Sequence, residues 1–325
     1  MSDPLVSIVI PVHNGDAFLS ESLDSVLSQS YERWECIIID NCSTDATGEI
    51  AAGYCRRDDR FRLYETETLL PVIENHNFAV GRISEESAFC KILHADDYLF
   101  PECLGEMVKV AAANPGAGVI GAYSLDGERV RCDGLPYQQT LFPGREIGRL
   151  TLLGRIYPFW SPSSTMIRAD LVRKRDPFYA PERLHADVEL MYELLQEADF
   201  GFVPRILTFI RKHAGSETSR QVKPLNAQIC SNLDLFVRYG PVFLSDEEYE
   251  WRLRQHLVEY YRFLAESAIE GRDREFWRFH SQGLQKVGHP MSIARIVRAA
   301  AGVLLCRPRA FARMLLHRLR QEERS

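Results

Sequence analysis

Residues 5–14 read Leu5-Val6-Ser7-Ile8-Val9-Ile10-Pro11-Val12-His13-Asn14, an apolar run of strand formers that ends in a proline and turn residues. Branched side chains suit a buried, pleated strand, and Pro11 with Asn14-Gly15 stops it. Leu19, Leu23, Val26 and Leu27 then recur at helical spacing. Glu35-Cys36-Ile37-Ile38-Ile39 is a second strand that ends at Asp40, and its continuous isoleucines fit a parallel strand covered on both faces. The alternation continues with a helix over 45–56, a strand over 60–64, a helix over 75–83 and a strand over 88–93. A helix from Pro101 and a strand over 118–123 follow. Repeated strand–helix–strand units predict an α/β fold with a mainly parallel central sheet.

Farther along the pattern weakens. Residues 124–159 are rich in Gly and Pro; strands are predicted over 164–168 and 202–210, and a helix over 182–198. Beyond about 215 only amphipathic helical patterns remain. The expected organisation is therefore a domain over 1–215 and a helical region over 216–325. The 325 residues, 46% hydrophobic and 26% charged, are ordinary for globular chains of that size. The start carries no basic leader, and no run approaches the roughly 18 apolar residues of a membrane span. Eight cysteines without a CxxC pair predict reduced thiols in a cytoplasmic protein, and the nine histidines fit no common zinc spacing.

Ligands of doubly wound sheets bind outside the carboxyl ends of the strands. Three such ends carry polar clusters: Pro11-Val12-His13-Asn14, Asp40-Asn41-Cys42-Ser43-Thr44-Asp45 and His94-Ala95-Asp96-Asp97. No GxGxxG or GxxxxGKS motif is present, so neither a Rossmann dinucleotide loop nor a P-loop is supported. Adjacent carboxylates at a strand end suit a hard cation, Mg²⁺ or Mn²⁺, shared with substrate phosphates.

The order of these motifs resembles the family 2 glycosyltransferases. Residues 6–14, with Ser25-Val26-Leu27-Ser28-Gln29-Ser30-Tyr31 behind them, are similar to the opening of that family. Residues 39–45 resemble its Asp-Asp-Gly-Ser-Thr-Asp turn and His94-Ala95-Asp96-Asp97 its metal motif. Ala186-Asp187 lies where the family has its Glu-Asp base motif, and Arg211-Lys212-His213 matches its late basic loop. The resemblance covers roughly residues 4 to 215. It implies a GT-A fold and a hexosyltransferase-type enzyme that inverts the anomeric centre. Pro11 and Asp40 then contact the nucleoside, with His13 and Asn14 in the same nucleotide-binding group. Asp96 lies near ribose and metal, Asp97 binds the metal directly, Asp187 is the base, and Arg211 and His213 meet the diphosphate or metal. Three departures stand out: His94, Asn41 and Ala186 each replace an acid.

Plainer readings exist for several of these residues. Asp45 reads as a helix N-cap, Asp40 also as a turn-capping residue, His13 as a turn residue and His213 as a solvated loop residue. Trp160 is either a platform for a sugar face or a packing residue. For Asp187 the residues themselves argue. At 100° per residue, Leu184, Val188, Leu190, Met191, Leu194 and Leu195 span an apolar arc of about 160°, with Asp187 near its middle. Glu182, Glu189 and Glu193 fall on the opposite side, expected to be solvated. An acid on a buried face has a partner or a task; burial raises its pKa toward a useful base, and a nearby helix N-terminus opposes that.

The charge is uneven. The whole chain carries –6, yet from residue 290 onward eight arginines face only Glu322 and Glu323. With Ile293, Ile296, Val297, Val303, Leu304, Leu305, Phe311, Met314, Leu315 and Leu316 among them, this tail reads as an amphipathic segment for an anionic membrane surface, or as a helix packed on its own body. The expected partners are a nucleotide-sugar donor, probed first as a UDP-sugar, and a glycan or lipid-linked acceptor; no nucleic acid is expected. Two rivals remain at this level. A sugar nucleotidyltransferase calls for a Gly-rich phosphate loop, where residues 11–16 offer only Gly15. A non-catalytic nucleotide- or glycan-binding relative has no need of Asp97 or Asp187.

Overall fold

The structure, a computed structural model, describes residues 3–183, 185–213 and 225–306, with side chains as far as 302. The chain divides into two compact units, Met1–His213 and Ala214–Ser325.

In the first unit the elements run β1 (Leu5–Val12), α1 (Leu19–Leu27), β2 (Trp34–Asp40), α2 (Thr47–Arg57), β3 (Phe61–Glu65), α3 (Val72–Val80), β4 (Ser87–Ile92), β5 (Tyr98–Leu99), α4 (Cys103–Ala113) and β6 (Ala117–Asp126). They continue with β7 (Arg129–Arg131), β8 (Leu141–Phe142), α5 (Gly144–Leu152), a 3-10 turn at Pro162–Ser164, β9 (Thr165–Arg168), α6 (Ala169–Arg173), α7 (Ala186–Glu197) and β10 (Asp199–Ile210). One sheet collects all ten strands, with the backbone order β3-β2-β1-β4-β9-β6-β10-β5. Its long pairings, β3 with β2, β2 with β1, β1 with β4 and β6 with β10, are parallel. The short pairings of β9, β5, β7 and β8 are antiparallel. The mainly parallel α/β sheet expected from the sequence is the architecture observed.

Every residue of β2 is buried, and Ile37, Ile38 and Ile39 are fully so. Each such side chain contributes about 1.5–3 kcal/mol by leaving water. One face of the sheet packs on α1 and α4 through Leu19, Leu23, Val26, Leu104 and Met107. Gly15 makes the turn after β1 possible, since a Cβ there would lie 2.5 Å from Val12 Cγ2. Register sets the functional edge: Val12 pairs with Asp40, and Leu93 N donates to Val9 O (3.0 Å) as β4 runs out beside β1. The three polar clusters therefore share one edge.

Three local expectations need correction. The weakly patterned stretch 124–159 contains β7, β8 and α5. The helix predicted from 182 begins at Ala186, because Arg183 N closes a turn onto Ala180 O and His185 has non-helical backbone angles; Leu184 lies outside the described residues. Asp45 stands one residue before the N-cap of α2, Ala46, and braces the turn by accepting from Thr47 N (3.0 Å), Thr47 Oγ1 (2.5 Å) and Asp16 N (3.2 Å). Its slight burial alone would raise its pKa, but those bonds together hold it below the ordinary value.

The second unit holds α8 (Ala227–Phe243), α9 (Asp246–Glu270), α10 (Arg274–Lys286) and α11 (Ile293–Cys306). A capping box starts α9: Ser245 Oγ accepts from Glu248 N (3.3 Å) and Ser245 N donates to Glu248 Oε2 (3.2 Å). Gly271 ends it at φ 78°, where a side chain would be strained. Leu233, Phe236, Tyr260, Leu264, Phe276 and Leu284 form the core of this unit. Among the described residues no helix is long and apolar enough to cross a membrane. The proposed tail beyond 306 lies outside the described residues.

Candidate active site

The loops after β1 and β2 are laced together by side chains. Asn14 N donates to Ser43 Oγ (2.9 Å), Thr44 N to Asn14 Oδ1 (2.8 Å) and Gly15 N to Thr47 Oγ1 (2.8 Å). His13 Nδ1 donates to Asn41 O (2.8 Å). Asn14 and Cys42 both adopt the left-handed region, at φ 51° and 54°. That conformation is easy for Asn and strained for Cys, a feature that clusters at functional sites. Asp40 is buried, and its Oδ1 accepts from Ser43 N (3.0 Å), as a turn-capping residue does. Asn41, in the place of an acid, holds the neighbouring loop instead: its Oδ1 accepts from Thr66 Oγ1 (3.0 Å) and Leu70 N (2.8 Å), and its Nδ2 donates to Leu70 O (2.9 Å). A carboxylate could accept but not donate, which explains the amide here.

Beyond β4, His94, Asp96 and Asp97 each offer a ligand atom, and these atoms all lie within 4.8 Å of one another. Asp97 is buried; its Oδ1 accepts from Arg211 N (3.0 Å), while Oδ2 accepts no hydrogen bond and lies 3.8 Å from His94 Nδ1. A buried carboxylate oxygen without a donor is costly, and a cation resolves the cost. Desolvation pushes the Asp97 pKa up and the Asp96 charge adds to this, whereas His94, the nearby Ser163 hydroxyl and the Arg211 amide oppose it. On the other side His213 Nε2 donates to Asp96 Oδ2 (2.8 Å), and Arg211 Nε donates to Asp96 O (3.0 Å) while its guanidinium also pairs with Glu21. His213 is thus drawn to the acidic cluster. Arg211 spends much of its donor capacity within the protein.

Asp187 is half-buried in the first turn of α7. It lines a small cavity with Phe159, Ser161, Pro162, Thr165, Tyr179 and Met191. Its neighbours respond to it. Desolvation lifts the pKa of Tyr157 and Tyr179, and Asp187 lifts both further; desolvation lowers that of His185, and Asp187 opposes the drop. Of the three acids expected to be solvated opposite Asp187, Glu182 and Glu193 are, with side chains 71% and 45% exposed, but Glu189 is not. Glu189 is buried, with its carboxylate 3.5 Å from Arg183 Nε, because the turn before α7 folds back over that side. Trp160 is 37% exposed and carries the Arg131 guanidinium over its ring at 3.9 Å, which covers one face of the proposed sugar platform.

Sequence reasoning passed over two residues between these clusters. His76, on α3, meets the rings of both His94 (5.5 Å between centroids) and Tyr179 (6.1 Å), and so bridges the acidic cluster and the Asp187 cavity. Its Nδ1 donates to Val72 O (2.8 Å), and desolvation, with His94 adding, pushes its pKa down to about 4. Lys91 is fully buried within β4, with its ammonium donating to Ser163 O (2.8 Å) and Thr165 O (3.2 Å). Its signal was present: a single lysine inside the apolar run 88–93.

The ordered motifs gather at one edge of this mainly parallel α/β sheet, and the chain matches the profile of glycosyl transferase family 2 over residues 7–175. The chain belongs to glycosyl transferase family 2. EpsE of Bacillus subtilis (strain 168), a protein provisionally named a glycosyltransferase, is 31% identical over 125 residues, 38% of this chain and 44% of EpsE. The chain thus spans less than half the length of that relative. Among solved structures, Staphylococcus aureus TarS 1–349 in complex with UDP-GlcNAc superposes with a TM-score of 0.63 at 16% identity, covering 97% of this chain and 89% of that one. The mannosyltransferase PcManGT from Pyrobaculum calidifontis, in complex with GDP-Man and Mn²⁺, gives 0.53 at 12% identity, covering 98% and 85%. At such identities the likeness is one of fold.

Proposed function

We propose that the chain transfers a hexose from a nucleoside diphosphate donor, a UDP-sugar, to a hydroxyl of a glycan or lipid-linked acceptor, with inversion at the anomeric carbon. Family membership supports the reaction type, and the UDP-GlcNAc complex of TarS and the GDP-Man and Mn²⁺ complex of PcManGT support the donor class. The single observation that carries the reading is the His94–Asp96–Asp97 cluster, with its buried, donor-free Asp97 oxygen, on the same sheet edge as Asp40.

In this reading Pro11 and Asp40 face the nucleoside, and His13 and Asn14 shape the loop beside it. Asp97 and Asp96 hold a Mn²⁺ or Mg²⁺ ion, which when bound offsets negative charge on a diphosphate leaving group. His213 orients Asp96, and Arg211 fixes Asp97 through its backbone amide. Asp187 accepts the proton of the acceptor hydroxyl as that oxygen bonds to the anomeric carbon. The bond from that carbon to the diphosphate oxygen breaks on the opposite side. Asp187 lines a small, partly open cavity, and Trp160 flanks it as part of the acceptor side.

The test is release of UDP from a panel of UDP-sugars with Mn²⁺ present. Wild type is expected to consume one of them, and Asp187→Asn to do so about 10²–10⁴-fold more slowly with UDP affinity unchanged. Turnover at the wild-type rate by that variant removes Asp187 from the mechanism. We also propose that the basic C-terminal segment brings this cytoplasmic enzyme to the inner membrane face. Supporting this, Ile293 and Val297 stand one turn apart on α11, 77% and 63% exposed, with Arg295 and Arg298 exposed nearby. Loss of co-sedimentation with anionic vesicles on deletion after Pro290 is the expected result.

A further inference from the structure

We propose that Lys91 is a positioning residue, a buried ammonium that fixes the turn at 161–165 and through it the geometry of both halves of the site. The inference rests on the nucleotide and metal reading above. Lys91 occupies the interior of β4 at 0% exposure, between Cys90 and Ile92, which are themselves buried. An aliphatic residue there would extend the apolar strand at no electrostatic cost, whereas burial works against the charged form of the lysine. The ammonium has no carboxylate in hydrogen-bond contact among the described residues. It donates to Ser163 O and Thr165 O, the two carbonyls that flank the end of the 3-10 turn.

That turn is the joint between the two clusters. Ser163 Oγ accepts from His94 N (3.1 Å), the first residue of the acidic motif, and Asp97 N donates to His94 O (3.0 Å). Ser161, Pro162 and Thr165 form one wall of the Asp187 cavity. A second donor, Thr208 Oγ1 on β10, reaches the same Ser163 carbonyl at 3.0 Å, so the carbonyl is held from two strands. Lys91 itself touches neither proposed substrate nor cation. It acts through Ser163, on His94 to one side and on the cavity wall to the other.

The experiment uses the full chain and titrates UDP by calorimetry at several Mn²⁺ concentrations. Lys91→Met keeps the length of the side chain and removes its donors and charge; circular dichroism verifies its fold. The expected result is a fold-competent variant whose Mn²⁺ half-saturation rises by about 10–100-fold, as for other residues that orient metal-site ligands. Thr208→Val, which removes the uncharged donor to the same carbonyl, is expected to shift it far less. If Lys91→Met lowers the melting temperature but leaves the Mn²⁺ dependence as in wild type, Lys91 only stabilises and the proposal is overturned. Should that variant not fold, Ser163→Ala carries the test: it removes the hydroxyl that accepts from the His94 amide and lies near the Asp97 carboxylate, and unchanged Mn²⁺ dependence again overturns the proposal. Absence of Mn²⁺-dependent UDP binding in the wild type instead overturns the nucleotide reading and, with it, the role given to Lys91.

Discussion

His213 Nε2 lies 2.8 Å from Asp96 Oδ2, so a ring at the end of β10 orients a carboxylate that leaves β4 more than a hundred residues earlier. The Phe18 ring flanks the same imidazole at 5.1 Å between centroids. Of the two acids in the motif, Asp96 is held by the His213 ring and Asp97 by the Arg211 amide. On the proposed reading, His213→Ala frees Asp96 to rotate and weakens Mn²⁺-dependent UDP binding by about 10–100-fold. Calorimetry checks this against an unchanged melting temperature without ligand.

The turn after β1 gives a backbone prediction. Gly15→Ala places a methyl 2.5 Å from Val12 Cγ2, within the loop that ties His13 and Asn14 to the Asp40 turn. Overpacking of this kind costs about 1–3 kcal/mol. Denaturant titration is expected to show that loss, together with weaker UDP binding.

Glu189 was expected to be solvated and is buried instead against Arg183. Glu189→Gln is therefore not a silent control. It is expected to destabilise the first unit by about 1–3 kcal/mol while leaving UDP affinity as in wild type. Glu182, whose side chain is 71% exposed, is the better silent position.

The second unit carries a pH dependence. Desolvation, with Arg252 adding, pushes the His256 pKa down to about 4, and desolvation also lowers that of His280 despite its bond to Leu225 O. His280 is fully buried, with Nε2 donating to Leu225 O (2.9 Å) and Nδ1 accepting from Tyr260 OH (2.7 Å). Both are neutral when folded and protonate more readily when unfolded. The stability they protect is present above the unfolded value of about 6.5 and is lost as pH falls toward 4. Melting temperature is expected to drop between pH 7 and pH 5. His256→Phe, which keeps a ring against Phe236, is expected to flatten that drop.

What the sequence revealed, and what it hid, follows from the range of the forces involved. β1, β2 and β4 were legible because continuous apolar runs leave one reading, and Asp96-Asp97 because two acids at a strand end need a reason to be adjacent. β5, β7 and β8 are two or three residues long and exist only through pairing with β6 and β10, which no local pattern encodes. The Asp187 arc assumed a helix from 182. With the start at Ala186, Asp187 becomes a first-turn acid beside the helix N-terminus. Glu189 was misjudged because helical periodicity separates faces but cannot say that Arg183, in the turn before the helix, covers part of the outer one. The bridges through His76 and Lys91 depend on three-dimensional register, although an isolated lysine in an apolar strand was itself a visible anomaly.

On the proposed reading, the acidic cluster after β4 holds a cation that a nucleoside diphosphate shares. Calorimetric titration of UDP into wild type and Asp97→Ala, each with and without Mn²⁺, measures this directly. Wild type is expected to bind UDP tightly only with Mn²⁺, and Asp97→Ala to lose that dependence. UDP binding by Asp97→Ala with the wild-type affinity and the wild-type response to Mn²⁺ would contradict that reading.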